Sequence, residues 1–373
     1  MNTRKRIVVA MSGGVDSSVV AALLASEGHE VIGITIKTYA YEEVGGNSRN
    51  ESSCCSLDGI NDARAVAAQF NFPHYVLDFT EPFNNSVIED FVAEYLRGRT
   101  PNPCVICNRK IKWEELIRKA MALGADAIAT GHYAKVRLLP ESGRFVVSRG
   151  RDGSKDQSYA LWGLTQESLA RTVFPLAEYT KPEVRALAEK FGLSVAGKGE
   201  SFEICFIPDN NYERFLKERV PGLEKGVAGG EIMQDGRVVG HHRGFPFYTI
   251  GQRRGIGVAM GEPIYVTGID PGKNRVEIGP EKALYHAGLI ARNVNMMKYD
   301  RCPPGLRVNV RIRYKDGGGM ASADHLSDGR LKIIFDEPRR AITPGQSAVL
   351  YEGDDLVGGG VIDEVLGDVP EPA

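Results

Sequence analysis

Short apolar runs alternate with helix-like stretches through the first half of this chain. Ile7-Val8-Val9-Ala10-Met11 is β-branched and uncharged, the pattern of a buried strand. Val19-Val20-Ala21-Ala22-Leu23-Leu24-Ala25 follows as a helix run that Gly28 stops. The alternation then repeats: strands are predicted over 31–36, 74–77 and 126–130, and helices over 58–70, 82–96 and 112–123. Repeated βα units predict a doubly wound parallel sheet with helices on both faces and ligands at the carboxyl ends of the strands. Two segments break the pattern. Residues 39–56 hold few core residues and read as a loop, and 98–103 cannot be helical because Pro101 and Pro103 also restrain the residues before them.

The texture changes after about Pro208. Short alternating stretches divided by Gly and Pro take over, among them Glu231-Ile232-Met233, Arg237-Val238-Val239, Arg275-Val276-Glu277-Ile278, a longer one over 306–314, and Leu331-Lys332-Ile333-Ile334-Phe335. That density of short strands predicts small β-barrels. The expected organisation is α/β: a nucleotide-binding domain over 1–208, a central β domain over 209–285 and a C-terminal β-barrel over 286–373.

Composition changes this picture little. Lys+Arg 46 against Asp+Glu 48 leaves a formal net charge of -2, so any nucleic-acid partner must be held by local patches. No apolar stretch approaches the ~20 residues of a membrane helix, and no secretory leader is evident. Six cysteines in a chain of this length, without a leader, point away from a disulfide framework and toward metal or sulfur chemistry in a cytoplasmic setting.

The most specific stretch is Ser12-Gly13-Gly14-Val15-Asp16-Ser17-Ser18, set between the first strand and the first helix. Paired glycines let the backbone approach an anion closely, and the helix start supplies free N–H groups and a positive dipole end. The Gly-Lys-Ser/Thr ending of the common ATPase loop is missing. A shorter, hydroxyl-rich cradle without a lysine suits a pyrophosphate unit, with ATP split between its α and β phosphates. Asp16 reads either as a group that helps place Mg²⁺ or as a helix-capping residue. Cys104-Val105-Ile106-Cys107 lies beside Arg109 and Lys110 near a helix start, where a thiolate is stabilised. Alone, the pair is equally half a zinc site, a redox pair or two inert thiols. Cys205 stands apart with apolar flanks that also suit core packing, while Cys54, Cys55 and Cys302 are assigned no chemistry.

The loop resembles the PP-loop of the ATP pyrophosphatases. With Thr100-Pro101-Asn102-Pro103-Cys104, Gly131-His132-Tyr133-Ala134, Lys155-Asp156-Gln157-Ser158-Tyr159, Ile204-Cys205-Phe206-Ile207, Tyr248-Thr249-Ile250-Gly251-Gln252 and Thr343-Pro344-Gly345-Gln346, the chain resembles the tRNA 2-thiouridylase family along nearly its whole length. That resemblance implies ATP-dependent exchange of the C2 oxygen of wobble uridine 34 for sulfur in lysine, glutamate and glutamine tRNAs. It implies a nucleotide site at Ala10, Met11, Ser12, Gly13, Gly14, Val15, Asp16, Ser17, Ile36 and Gly131. Ile36 stands where relatives often carry methionine. It also implies sulfur carried as a persulfide on Cys205, Cys107 as its nucleophilic partner, and a sulfur-relay protein or cysteine desulfurase as donor.

Cys104 departs from a well-known form of the family, which carries Asp there. Cys104, Cys107 and Cys205 together would instead offer three thiolates to an iron–sulfur cluster, so cluster and persulfide–disulfide relay both stay open. By the same resemblance, Asn102, Pro103 and Cys104 face the target base. His132, Lys155, Asp156, Gln157, Arg313, Tyr314 and Gln346 would touch tRNA. Residues 311–315 also read simply as a solvated strand face. His241 and His242, adjacent on a strand, point to opposite faces and are not taken as a metal pair. Two other readings remain on the sequence: a PP-loop enzyme that adenylates a small molecule, and a nucleotide-responsive RNA-binding protein without turnover.

Overall fold

The computed structural model describes residues 4–39, 57–199, 204–258 and 261–368. The predicted loop beyond Tyr39, with Cys54 and Cys55, lies outside the described residues, as do 200–203 just ahead of Cys205. The chain forms two compact units: residues 1–88, 103–210 and 354–356 in one, and 89–102, 211–353 and 357–373 in the other.

In the first unit, β1 (Arg6–Ala10), β2 (Glu30–Lys37), β3 (His74–Asp78) and β4 (Ala127–Ala129) are the expected strands. The hairpin β5 (Ala134–Leu139) and β6 (Arg144–Arg149) and the two-residue β7 (Thr172–Val173) were not anticipated. The sheet order is β3-β2-β1-β4-β7, with every neighbouring pair parallel. From β1 the chain builds outward through β2 and β3, then returns to lay β4 on the other side of β1. The carboxyl end of β1 is therefore the topological switch point, where open α/β sheets bind ligands.

Helix α1 (Val15–Ser26) leaves that end and is buried on nearly every side, from Val15 through Ser17, Ser18, Val19, Val20, Ala21 and Ala22 to Leu24. Its uniformly apolar run accordingly packs within the core beside Val9, Met11, Val66 of α2 (Leu57–Gln69) and Val184.

The predicted helix at 112–123 begins earlier and is less regular. Pro103 is not part of the irregular stretch but opens a helical turn, Pro103–Ile106, a place where a missing N–H costs nothing. A π-helix covers Cys107–Glu115, and ordinary α-helix resumes at Leu116–Ala122. A second π-helical turn lies at Asn84–Ile88. Wide turns of this kind are rare and concentrate at functional positions.

In the second unit, β8 (Gly230–Gln234), β9 (Arg237–His242), β10 (Tyr265–Asp270) and β11 (Arg275–Gly279) form a sheet of order β10-β11-β8-β9. Strands β12 (Tyr285–Met296), β13 (Leu306–Arg311), β14 (Gly319–His325), β15 (Leu331–Arg340), β16 (Ser347–Glu352) and β17 (Asp355–Asp368) run in the order β12-β15-β14-β13-β16-β17. Pairing of β12 with β17 closes them into a six-stranded barrel. Alternate residues fill its interior, for example Val308 and Val310, Ala321 and Ala323, Leu331 and Ile333, Ala348 and Leu350. β13 ends at Arg311, so Arg313 and Tyr314 stand in the bend beyond it rather than on the strand face expected from the sequence.

The segment 89–102 belongs to this unit and is bound to the barrel by buried charge. Glu94, its side chain 5% exposed, pairs with Arg99 and through both carboxylate oxygens with Arg292 (3.1 Å each). Arg99 also donates to Ile362 O (2.8 Å) and Asp363 (3.0 Å), and Arg292 reaches Asp363 at 3.2 Å. Thr100 N–H donates to Pro344 O at 2.9 Å. Removing one member of a buried network leaves its partners desolvated and unpaired. Glu94→Ala should therefore lower unfolding free energy by about 3 kcal/mol, read as an earlier denaturant midpoint. A shift near zero would show that the network contributes no net stability.

Candidate active site

The loop after β1 is shaped by close backbone contact. Gly13 has φ +72°, and a Cβ on it would lie 2.1 Å from the carbonyl oxygen of Gly59 in α2. A side chain is thus excluded on conformational and steric grounds together. Gly131, following β4, closes the other side: a Cβ there would be 3.0 Å from Asp16 Cβ and from the Ser17 amide nitrogen. Hydroxyls fix the turn from within. Ser12 N–H donates to Ser17 Oγ (3.1 Å), Ser17 Oγ donates to Gly14 O (3.3 Å), and the Ser12 and Ser17 hydroxyls are 3.2 Å apart. Below the loop, Met11 N–H bonds to Ile34 O (2.8 Å) and the Thr35 hydroxyl to Met11 O (2.8 Å). Ile36 is half-buried at the end of β2.

Gly14 is the N-cap of α1 and provides no side-chain cap. The first-turn amides consequently keep the anion-binding character expected of a helix start. Asp16 is not a capping residue. Its carboxylate accepts a hydrogen bond from Tyr133 Oη (2.8 Å) and pairs through both oxygens with Lys181 Nζ (2.7 and 2.8 Å).

Lys181 is one of two cations that the sequence reading missed. The other, Lys198, sends Nζ to Gly13 O (3.2 Å) and Asp62 (2.8 Å). The loop's own sequence lacks a lysine, but the fold brings two to it from far along the chain. The only local signal at the first is Thr180-Lys181-Pro182-Glu183, a helix-start pattern, which the structure realises as a capping box on Lys181–Lys190.

Cys104 is exposed in the short turn Pro103–Ile106, and half-buried Cys107 begins the π-helix. That helix is pinned along its length. Asn108 donates to Ala160 O (3.0 Å), Lys112 donates to Asn108 Oδ1 (2.9 Å), and Trp113 Nε1 donates to Thr172 Oγ1 (2.7 Å). Cys205 is also half-buried, while its neighbours Phe206 and Ile207 are core residues. Phe206 packs edge-on against Phe83, immediately before the first π turn, with ring centroids 5.7 Å apart. The apolar flank of Cys205 is thus an anchor. Cys302 is buried, and burial foremost, then Asp324, pushes its thiol up to about 11, which fits an inert core role.

Among the described residues, no three His, Cys, Asp or Glu side chains are grouped to hold a metal ion. His241 is exposed and His242 buried, on opposite faces of β9 as alternation requires, and His242 is held by Asn274 O and the Gly244 amide.

Several residues assigned to tRNA by resemblance are placed inside their units rather than on open surface. His132 is 9% exposed, packed against Trp113 and Phe174, with Nδ1 2.7 Å from the Thr130 hydroxyl. Burial chiefly, and the nearby Lys112 ammonium, hold its pKa well below the ordinary value, so the ring is neutral and offers no charge to phosphate. Buried Asp156 accepts from the Ser158 amide and pairs with Arg149, and Gln157 accepts from the Tyr133 amide at 3.0 Å. Lys155 is half-buried. In the second unit, Gln346 Nε2 donates to Thr100 O (2.9 Å) and Pro101 O (3.1 Å), holding the residues that precede Asn102. Tyr314 is 44% exposed, and Arg313 is half-exposed beside it.

A Gly-Gly loop at the switch point of a parallel sheet, with a four-stranded sheet and a six-stranded barrel elsewhere in the chain, defines a nucleotide-binding class with appended β domains. Family models match in that order. A tRNA methyl transferase HUP domain covers residues 5–209, a tRNA methyl transferase PRC-barrel domain 213–280, and an aminomethyltransferase beta-barrel domain 286–362. Relatives named tRNA-specific 2-thiouridylase MnmA match across the chain. The Salinibacter ruber protein is 53% identical, covering 100% of this chain and 98% of the relative. That of Cytophaga hutchinsonii is 50% identical over 97% and 98%, and that of Pelotomaculum thermopropionicum 50% over 98% and 99%. The chain belongs to the tRNA-specific 2-thiouridylase family.

The neutral state of His132 has a consequence for stability. Unfolded histidine takes up a proton near pH 6.5, whereas the folded ring, its pKa depressed, does not. The unfolded state then binds more protons, so stability is complete above about pH 6.5 and declines as pH falls below it. His132→Asn should flatten the drop in urea midpoint between pH 7.5 and pH 5.5. Some slope should remain, because His74, His242 and His325 are depressed in the same direction. An unchanged slope would refute a neutral His132.

Proposed function

We propose that this chain is an ATP-dependent tRNA 2-thiouridylase that replaces the C2 oxygen of wobble uridine 34 in lysine, glutamate and glutamine tRNAs by sulfur. The observation that carries the reading is the glycine-cornered loop of residues 12–17 at the head of α1, on the same compact unit as a π-helix that begins at Cys107. The loop's amides and hydroxyls bind the ATP phosphates, with Ile36 and Gly131 beside the nucleotide. The uridine C2 oxygen attacks the α-phosphorus, the bond to the α–β bridging oxygen breaks, and pyrophosphate leaves with the electron pair. Asp16 suits a hard divalent cation shared with phosphate oxygens, and Mg²⁺ there would neutralise phosphate charge.

Sulfur arrives as a persulfide on Cys205, supplied by a relay protein or a cysteine desulfurase. Its terminal sulfur attacks C2, and AMP departs with the electrons of the C2–O bond. The Cys107 thiolate then attacks the Cys205 sulfur. The S–S bond breaks, sulfur stays on C2, and the two cysteines join in a disulfide that an external dithiol must reduce. The relay is proposed over the alternative of an iron–sulfur cluster on Cys104, Cys107 and Cys205; its support is that, among the described residues, no three His, Cys, Asp or Glu side chains are grouped to hold a metal ion.

Asn102, Pro103 and Cys104 face the extruded base, and Lys155, Arg313 and Tyr314 contact the tRNA directly. His132, Asp156, Gln157 and Gln346 act by holding the segments that make those contacts. The working division into domains is 1–208, 209–285 and 286–373. No described helix is long and apolar enough to cross a membrane, and the proposed tRNA reaction belongs in the cytoplasm.

Nucleoside mass spectrometry of unmodified lysine tRNA, incubated with protein, ATP, Mg²⁺ and a persulfide donor, tests the reading. New 2-thiouridine at position 34 is expected. Cys205→Ser should abolish it while tRNA-dependent pyrophosphate release persists, and Cys107→Ser should do the same. Full thiolation by Cys205→Ser would overturn the sulfur assignment. Absence of product with the wild-type protein and donor would favour adenylation of a small molecule instead.

A further inference from the structure

The peptide group that joins β1 to the loop, between Met11 and Ser12, is gripped at both of its polar ends. Its carbonyl accepts the Thr35 hydroxyl at 2.8 Å, and its N–H donates to Ser17 Oγ at 3.1 Å. Ser17 Oγ in turn donates to Gly14 O at 3.3 Å. Thr35 is fully buried in β2, and its oxygen also lies 2.9 Å from Nε2 of His74, the first residue of β3.

These contacts decide where the histidine proton sits. A carbonyl cannot donate, so the single Thr35 proton is committed to Met11 O, and the hydroxyl oxygen can only accept from His74. Nε2 therefore carries a proton. Nδ1 is buried without a hydrogen-bond partner among the described residues, where a second N–H would leave a full charge unpaired. Burial first, and then the Arg64 guanidinium, hold the ring below the ordinary histidine pKa, in keeping with a neutral ring. Space for it comes from Gly33, its partner on β2: a Cβ there would lie 2.7 Å from Met11 Sδ and 3.0 Å from His74 Cδ2.

We propose that His74, as the Nε2–H tautomer, is a positioning residue for the nucleotide loop. It heads a one-way hydrogen-bond chain through Thr35, the Met11–Ser12 peptide and Ser17 to Gly14, the cap of α1. This rests on the reading of the loop as an ATP site. Every link donates forward, and hydrogen bonds in series polarise one another. Two carbonyl oxygens at the loop, Met11 O and Gly14 O, are thereby engaged by hydroxyls instead of being left to repel a phosphate. The opposite tautomer would draw the Thr35 proton to Nε2 and release Met11 O, and with it the peptide that leads into Ser12.

Two measurements test this. Nitrogen NMR of isotope-labelled wild-type protein, with His74→Gln to assign the signal, should show a protonated Nε2 and a bare Nδ1 at neutral pH. An Nδ1–H ring or a doubly protonated one overturns the assignment. ATP affinity is then measured by calorimetry without tRNA for H74M, T35V, the double variant and H74Q. H74M and T35V should each raise Kd by about 10-fold, the scale of one hydrogen bond lost at a buried site. The double variant should match T35V alone rather than reach about 100-fold, because His74 works through that hydroxyl. Glutamine offers a donor in place of Nε2, so H74Q should recover part of the affinity. A merely structural histidine would lower the urea midpoint of H74M while the folded protein kept its ATP Kd, or would add in full to T35V; either result overturns the assignment. Wild-type protein that binds no ATP overturns the nucleotide reading of the loop and this assignment with it. Wild-type protein that binds ATP yet makes no 2-thiouridine overturns the proposed reaction alone.

Discussion

The nucleotide site depends on a steric constraint: backbone must touch backbone on both sides of one short loop. Gly13 lies against Gly59 of α2, and Gly131 lies against the first turn of α1. A methyl group at either position would separate elements that the sheet topology brings together at the end of β1. The hydroxyls of Ser12 and Ser17 then settle the turn between these contacts. With its walls fixed in this way, the loop needs little reorganisation to present its amides to an anion. Preorganisation of this kind is what makes dipoles effective in catalysis.

Charge is added to that frame from a distance. Lys181 and Lys198 come from segments more than a hundred residues away; Lys181 is paired with Asp16 of the loop, and Lys198 with Asp62 of α2 while it also reaches Gly13 O. The second unit follows the same logic for a different purpose. Glu94, Arg99, Arg292 and Asp363 form a network largely withdrawn from solvent that ties residues 89–102 to the barrel strands. Gln346 completes the attachment by taking the Thr100 and Pro101 carbonyls. Gly345 is packed too closely against Thr100 to bear a side chain, its hypothetical Cβ lying 2.8 Å from Thr100 O. The barrel therefore does more than present a surface, since it holds the chain that leads into Asn102.

The legible part of the sequence was the part set by local pattern. The central strands and α1 could be read because β-branched apolar runs and an Ala/Leu-rich helix announce themselves, and the Gly-Gly loop stood out through residue type and context. The barrel's alternation was equally plain in Leu331-Lys332-Ile333-Ile334-Phe335. Three things were hidden for physical reasons. β7 is only two residues long and exists because β4 offers it an edge. The π-helix at Cys107–Glu115 differs from an α-helix by tertiary anchors such as the Trp113–Thr172 bond, which no spacing rule contains. Lys181 looked like any helix-start lysine, and its meaning came only from the acid it meets.

Resemblance and geometry also speak to different aspects of the same residues. A motif identifies His132, Asp156, Gln157 and Gln346 as important without saying how. Their surroundings add the local picture: His132 is a buried neutral imidazole between Trp113 and Phe174, and the Gln346 amide donates to two carbonyls. Tyr314, 44% exposed, and half-exposed Arg313 stand nearer the surface in the second unit. The cysteines divide in a similar way: exposed Cys104 and half-buried Cys107 and Cys205 are accessible to chemistry, whereas Cys302 has its thiol held high by burial. The start of a π-helix gives Cys107 an anchored but non-standard backbone, pinned along its length by Asn108, Lys112 and Trp113.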